Sequence, residues 1–311
     1  MLYRKAYDKL VEWKNQPNKK ALCIMGARQI GKTTVIRRFG EDQYECFVEI
    51  NFITEPDAAK IFSGNLDANT IITNLTAYTR KPMIPGKTLV LLDEIQACPD
   101  ARTAIKFLVE DGRFDYIESG SLLGVKYKEV RSYPVGFEEL YQMYPMDLEE
   151  YLWANGVQKS TIQYLKDCFE NGTPVTDAIH QTMCKLFYSY IVVGGMPDVV
   201  QTYVDTHDIA QVIAKQTEIL ELYRLDISQY AQGNDKMKIR AIFDRHGVPF
   251  RAMDFVLELP MPEDGPWPDE QIHVSHFPYE DIVEEGLAER VQKAHDELTA
   301  YYAELDAQNI K

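Results

Sequence analysis

The sequence predicts an α/β domain of three layers built on a parallel sheet, followed by a mainly helical second domain. Three observations carry that expectation. Strand-length apolar runs alternate with helix-period segments over residues 20–120, the order of strands joined by covering helices. The strongest run, Thr88-Leu89-Val90-Leu91-Leu92, has no polar face after its first residue, as in a parallel sheet covered on both sides. From Thr161 to about Tyr230 the strand-like runs give way to helical segments.

Tyr3 to Trp13 reads as a short amphipathic helix, closed by the polar run Asn15-Gln16-Pro17-Asn18. Lys20-Ala21-Leu22-Cys23-Ile24-Met25, stopped by Gly26, has the length and flanks of a buried strand. Thr33 to Phe39 has helix periodicity, and Cys46 to Asn51 reads as the second strand. A helix over Thr70 to Tyr78 is stopped by Lys81-Pro82 and the Pro85-Gly86 turn. After the Thr88–Leu92 strand, Pro99 introduces a helix from Asp100 to Glu110, and Phe114 to Glu118 is the next strand. Beyond Gly124, Pro-marked turns around Pro134 and Pro145 alternate with short helical starts. The helical region is broken at Gly172-Thr173-Pro174 and at Gly194-Gly195-Met196-Pro197, with Thr176 placed to cap the helix after Pro174. Residues 260–270 are too rich in proline for a regular element and read as a linker or extended loop. Ile282 to Asp306 returns to an acidic, helix-compatible sequence. The expected division is therefore 1–155, 156–259 and a tail of 260–311.

A chain of 311 residues suits two domains, and 45% apolar with 26% charged residues excludes a wholly disordered one. No window of 18 consecutive apolar residues exists, so no membrane span is expected. The N-terminus has basic residues but no apolar core or cleavage site of a secretory signal. Cys23, Cys46, Cys98, Cys168 and Cys184 are scattered, with no C-x-x-C pair. They read as reduced structural thiols of a cytoplasmic protein, not as a disulfide framework or zinc site. The net charge of −15 is unevenly placed: residues 1–40 carry +8 and residues 260–311 carry −10. A wholly basic, nucleic-acid-coating protein is excluded, whereas a basic patch near the N-terminus is not. A solvated helix face is the plainer account of those lysines. His273 and His276 with Glu280 match no metal spacing and read as surface histidines.

The chemistry concentrates at two strand ends. Gly26-Ala27-Arg28-Gln29-Ile30-Gly31-Lys32-Thr33 is a complete G-x-x-x-x-G-K-T between an apolar strand and a helix, continued by Thr34. The glycines let the loop curl so that backbone N–H groups point at phosphate oxygens, and the helix N-terminus adds its positive dipole end. Lys32 would reach the β- and γ-phosphates, and the Thr33 hydroxyl would coordinate Mg²⁺. The second strand end is Leu91-Leu92-Asp93-Glu94, where an acid closing a buried strand is costly without a partner. Asp93 would hold the Mg²⁺ shell and Glu94 would orient and deprotonate a water. No guanine-reading N/T-K-x-D follows, which favours ATP over GTP. Ser119 and Ser121, after the strand ending at Glu118, would lie near the γ-phosphate, with a turn or cap serine as the alternative. Arg131 is the nearest further candidate for nucleotide charge, with a solvated arginine as its plainer reading.

From Lys20 to about Trp153 these pieces resemble the AAA-type P-loop ATPase domain that precedes the "domain of unknown function 4143" in many prokaryotic ATP-binding proteins. The matching stretches are the phosphate loop, Leu91-Leu92-Asp93-Glu94-Ile95-Gln96, Glu118-Ser119-Gly120-Ser121-Leu122-Leu123-Gly124, Tyr133-Pro134-Val135-Gly136-Phe137-Glu138-Glu139 and Leu148-Glu149-Glu150-Tyr151-Leu152-Trp153. The Ala-Arg-Gln between the glycines and the Gln after Asp-Glu-Ile are more specific than a generic phosphate loop. Val193-Gly194-Gly195-Met196-Pro197 and Leu222-Tyr223-Arg224-Leu225-Asp226-Ile227 extend the resemblance to about Phe243, three quarters of the chain. The family pattern places Ser119 or Ser121 near its γ-phosphate-sensing residue. From Arg245 the sequence departs from the family, as a natural replacement, a truncation or a frame change. The resemblance implies an Mg²⁺-dependent ATPase coupled to a protein or DNA partner, with homo-oligomers possible. The alternatives are a nucleotide-gated binding module without appreciable turnover and, third, a phosphotransferase.

Overall fold

The computed structural model of the chain describes residues 2–120 and 134–230. It divides into two compact units, the first Tyr3–Pro145 and the second beginning at Met146.

Among the described residues of the first unit, five parallel strands form one sheet: β1 (Ala21–Met25), β2 (Cys46–Asn51), β3 (Thr88–Asp93), β4 (Asp115–Gly120) and β5 (Glu138–Gln142), in the order β2-β3-β4-β1-β5. β1 therefore lies between two strands that follow it in sequence. Every residue of β3 is buried, in keeping with its unbroken apolar run. Helices α1 (Lys5–Lys14), α2 (Lys32–Gln43), α3 (Ala68–Thr79) and α4 (Pro99–Asp111) occupy the segments expected to be helical, with ends shifted by a few residues. Asp67 caps α3 by accepting from the Thr70 N–H. One core gathers Val48, Ile50, Val90, Leu92, Ile71, Leu75, Ile105 and Leu108 between β-strands and helices α3 and α4. Trp13 of α1 and Phe39 of α2 are fully buried with their rings 6.4 Å apart, and the Trp13 indole donates to the Lys20 carbonyl at 2.9 Å.

The sequence reading put turns and helical starts where β5 runs, and the structure corrects it. Glu138-Glu139-Leu140-Tyr141-Gln142 lacks the apolar run of the other strands because β5 is at the sheet edge, paired among the described residues with β1 alone. Its sole deeply placed acid, Glu138, is paired with Arg102 of α4.

The second unit is helical: α5 (Leu148–Ala154), α6 (Lys159–Glu170), α7 (Asp177–Val193), α8 (Pro197–Thr206) and α9 (Ile209–Tyr230). α5 opens with a capping box, Asp147 accepting from the Glu150 N–H at 2.8 Å and Glu150 accepting from the Asp147 N–H at 3.2 Å. Thr176 stands at the N-cap position of α7, but its hydroxyl makes no capping bond. The core joins Met146, Tyr151, Tyr190, Val199, Val200, Tyr203, Val212 and Ile219. The Tyr190 hydroxyl donates to the Met146 carbonyl at 2.8 Å. A β-carbon on Gly195 would meet that same carbonyl oxygen at 2.2 Å, so the break between α7 and α8 requires glycine there. Among the described residues no helix is long and apolar enough to cross a membrane, and all five cysteines are free thiols. The linker and acidic tail expected over 260–311 lie outside the described residues.

Candidate nucleotide-binding site

Parallel pairing brings the polar ends of three strands into one row. Asn51 of β2 stands opposite Asp93 of β3, and Asp93 stands opposite Ser119 of β4. Ligands of open α/β sheets bind beyond these carboxyl ends. Asp93 is 4% exposed, and its carboxylate is held by three neutral donors. The Thr33 hydroxyl lies 3.2 Å from Oδ2, the Asn51 amide donates to Oδ2 at 2.9 Å, and the Ser119 hydroxyl donates to Oδ1. Asn51 is itself fixed, since its Oδ1 accepts from the Ile53 and Thr54 N–H groups, each at 3.0 Å. No cationic side chain bonds to Asp93 among the described residues.

The phosphate loop curls as its glycines allow. Gly26 has φ 148°, Gly31 has φ 86°, and Gln29 between them also takes the left-handed region at φ 62°. A β-carbon at Gly26 would meet the Met143 carbonyl oxygen at 2.3 Å and Ile30 Cδ1 at 2.7 Å. The first glycine is therefore required by close approach of the chain after β5 as well as by its dihedral. Ile30 is wholly buried, while Ala27 and Arg28 are partly exposed and Gln29 and Thr34 exposed. Gly31 is the N-cap of α2, whose first bond runs from the Val35 N–H to the Gly31 carbonyl at 3.0 Å. The preceding N–H groups thus have no partner inside the helix.

Lys32 is only 8% exposed. Its ammonium donates to the Gly26 carbonyl at 2.8 Å and the Ala27 carbonyl at 2.6 Å, so it spans the mouth of its own loop. Glu94 adopts the left-handed region (φ 54°, ψ 44°) and accepts a hydrogen bond from the Gln96 amide. Ser119, expected after a strand ending at Glu118, lies inside β4, opposite Asp93. Ser121 and Arg131 lie outside the described residues, as do His273, His276 and Glu280.

Sequence reasoning missed Asn51 and Arg4. Asn51 had a faint signal, a polar residue closing a strand next to the acidic one. Arg4 had none. It also missed a buried ionic cluster on the other face of β4, where Glu118 is adjacent to Ser119 in sequence. The Arg102 guanidinium lies 3.5 Å from Glu118 and 2.8 Å from Glu138, and donates to Cys23 Sγ at 3.6 Å. Burial, reinforced by the nearby Glu138 charge and opposed by Arg102, holds the Glu118 carboxyl above the usual glutamate range. Burial likewise pushes the Cys23 thiol up. Ligand atoms of Cys23, Glu118 and Glu138 lie within 4.8 Å of one another, but the guanidinium already supplies their counter-charge, so the group is structural.

Residues 18–152 match a family described as AAA domain. Residues 184–245 match a domain of unknown function, DUF8612, and not the domain of unknown function 4143 named by the resemblance. No curated protein matches the sequence. Among solved structures, C. elegans PCH-2 matches at 11% identity and TM-score 0.35, over 79% of this chain and 70% of that one. AMPPCP-bound DnaA from Aquifex aeolicus matches at 15% identity and TM-score 0.38, over 76% of this chain and 75% of that one. With its loop, strand order and matched segment together, the chain carries an N-terminal AAA-type P-loop domain, followed by a distinct C-terminal domain.

Proposed function

We propose that this chain binds ATP with Mg²⁺ and hydrolyses it, in a cycle coupled to a protein or DNA partner. The observation that carries the reading is Asp93. A buried carboxylate that among the described residues is hydrogen-bonded by neutral donors, with the Thr33 hydroxyl 3.2 Å away, is a pair of hard oxygen donors suited to a cation. Thr33 and Asp93 would hold Mg²⁺, which when bound neutralises charge on the β- and γ-phosphates. The loop amides at the head of α2 receive phosphate oxygens. Lys32 exchanges its two loop carbonyls for phosphate oxygens, which its flexible stem allows. Glu94 accepts the proton of the attacking water, and Ser119, bonded to Asp93, is poised to report the γ-phosphate. Adenine is favoured over guanine by the lack of a guanine-reading motif.

One observation favours the second reading, a switch with negligible turnover: the Gln96 amide donates to one oxygen of the Glu94 carboxylate that hydrolysis needs, and so competes with water there. Phosphate release and nucleotide binding measured together separate the two. Glu94→Gln is expected to keep ATP and Mg²⁺ bound while slowing hydrolysis ~10²–10⁴-fold, the span of a lost general base. Lys32→Ala is expected to lose binding. Unchanged hydrolysis in E94Q would move the base elsewhere, and a parent chain that releases no more than one phosphate would leave the switch.

A further inference from the structure

Arg4 is 5% exposed, far deeper than an arginine at the start of a surface helix should be. It is the N-cap residue of α1, and its guanidinium joins two points distant in sequence. Nη1 donates to the Ile30 carbonyl at 2.6 Å and Nη2 donates to the Tyr144 carbonyl at 2.6 Å. Ile30 precedes Gly31 in the phosphate loop, and Tyr144 follows Met143, the residue whose carbonyl abuts Gly26. One cation therefore ties the second half of the loop to the chain that already braces its first half.

The consequence follows from the peptide plane. The Ile30 carbonyl and the Gly31 N–H belong to one planar trans unit and point in opposite directions. Holding the carbonyl on the buried guanidinium aims the Gly31 N–H away from it, and a charge-assisted bond to the carbonyl strengthens that N–H as a donor. Thr34 is the third residue of α2, and its N–H, like that of Gly31, has no backbone acceptor among the described residues. We propose that Arg4 is a positioning residue for the phosphate loop, orienting the Ile30–Gly31 peptide so that its N–H receives polyphosphate. This rests on the reading of the loop as a nucleotide site.

The test uses the full chain, its Arg4→Lys and Arg4→Ala variants, and two probes with Mg²⁺, ATP and inorganic tripolyphosphate. Affinities are measured by calorimetry well below each variant's melting temperature, so that only folded protein is compared. Arg4→Ala is expected to weaken both probes ~10-fold or more, the scale of a lost charge-assisted bond. Arg4→Lys, which keeps the charge and reaches one carbonyl, should fall between. In hydrolysis the loss should appear as a raised KM with kcat within about twofold. The Gly31 amide nitrogen resonance should shift in both variants without any ligand. Melting temperatures that fall while affinities and the Gly31 resonance stay at parent values would make Arg4 a structural residue and overturn the proposal. If Arg4→Ala does not fold, Arg4→Lys decides by the same criteria. A parent that binds tripolyphosphate but not ATP would sink the nucleotide reading and leave the role of Arg4 to the tripolyphosphate series. A parent that binds neither overturns both.

Discussion

Gly26 meets two demands that no other residue meets together. Its φ of 148° disfavours any side chain, and a β-carbon would press to 2.3 Å from the Met143 carbonyl oxygen, an atom of backbone that cannot rotate away. Gly26→Ala is therefore expected to cost ~1–3 kcal/mol of stability through strain and overpacking. It should also lower ATP affinity, because relief of the clash displaces the loop whose N–H groups would receive phosphate oxygens. Thermal melting with ATP titration checks this. A variant with the parent's melting temperature and affinity would show that the chain after β5 yields freely. Asn51 acts on the same scale. With two backbone N–H groups on its oxygen and Asp93 on its nitrogen, it holds in place Oδ2, the same carboxylate oxygen that Thr33 meets.

Among elements, β4 carries both the buried ionic cluster and a residue of the proposed nucleotide site. Ser119 faces Asp93, while the preceding Glu118 is turned to the opposite face, as strand alternation requires, and lies with Arg102 and Glu138. The native chain binds the Glu118 proton more tightly than the unfolded chain does, since burial and Glu138 raise its pKa. The stability this contributes is complete below the ordinary glutamate value of about 4.3 and is lost as pH rises through the native pKa. Glu118→Gln keeps the shape and removes the proton. The parent's melting temperature should thus fall more steeply than the variant's from pH 5 to pH 9, by about 2–4 °C per kcal/mol lost. Parallel melting curves across that range would place the ionisation of Glu118 outside the stability of this face.

At the scale of the whole molecule, the residues proposed to hold nucleotide lie between Gly26 and Ser119, whereas residues 260–311 carry −10 of the net charge and residues 1–40 carry +8. A chain ending at residue 259 is expected to bind ATP as the parent does and to bind duplex DNA more tightly at low salt. The acidic segment repels a phosphate backbone over about 8 Å at physiological salt. Titration of duplex DNA at low and physiological salt checks this, alongside a melting curve. No gain in DNA affinity at an unchanged melting temperature would remove the restraining role, and a large drop in melting temperature would make the segment part of the fold.

The sequence alone determined the parts whose cause is local. The apolar run Thr88–Leu92 could only be a doubly covered strand, and G-x-x-x-x-G-K-T between strand and helix carries its own geometry in its glycines and helix start. The acid at Asp93 announced a need for partners because burial of a lone carboxylate is costly. Which partners answered it was decided by register. Asn51, Asp93 and Ser119 are separated by dozens of residues and meet only because β2, β3 and β4 are adjacent and in step. β5 was illegible because an edge strand needs no apolar run, and its place beside β1 arises from pairing across more than a hundred residues. Arg4 was illegible for a related reason. Ile30 and Tyr144 meet it through backbone carbonyls, which every residue carries, so nothing in the side-chain sequence distinguishes these two until the chain has folded around the guanidinium.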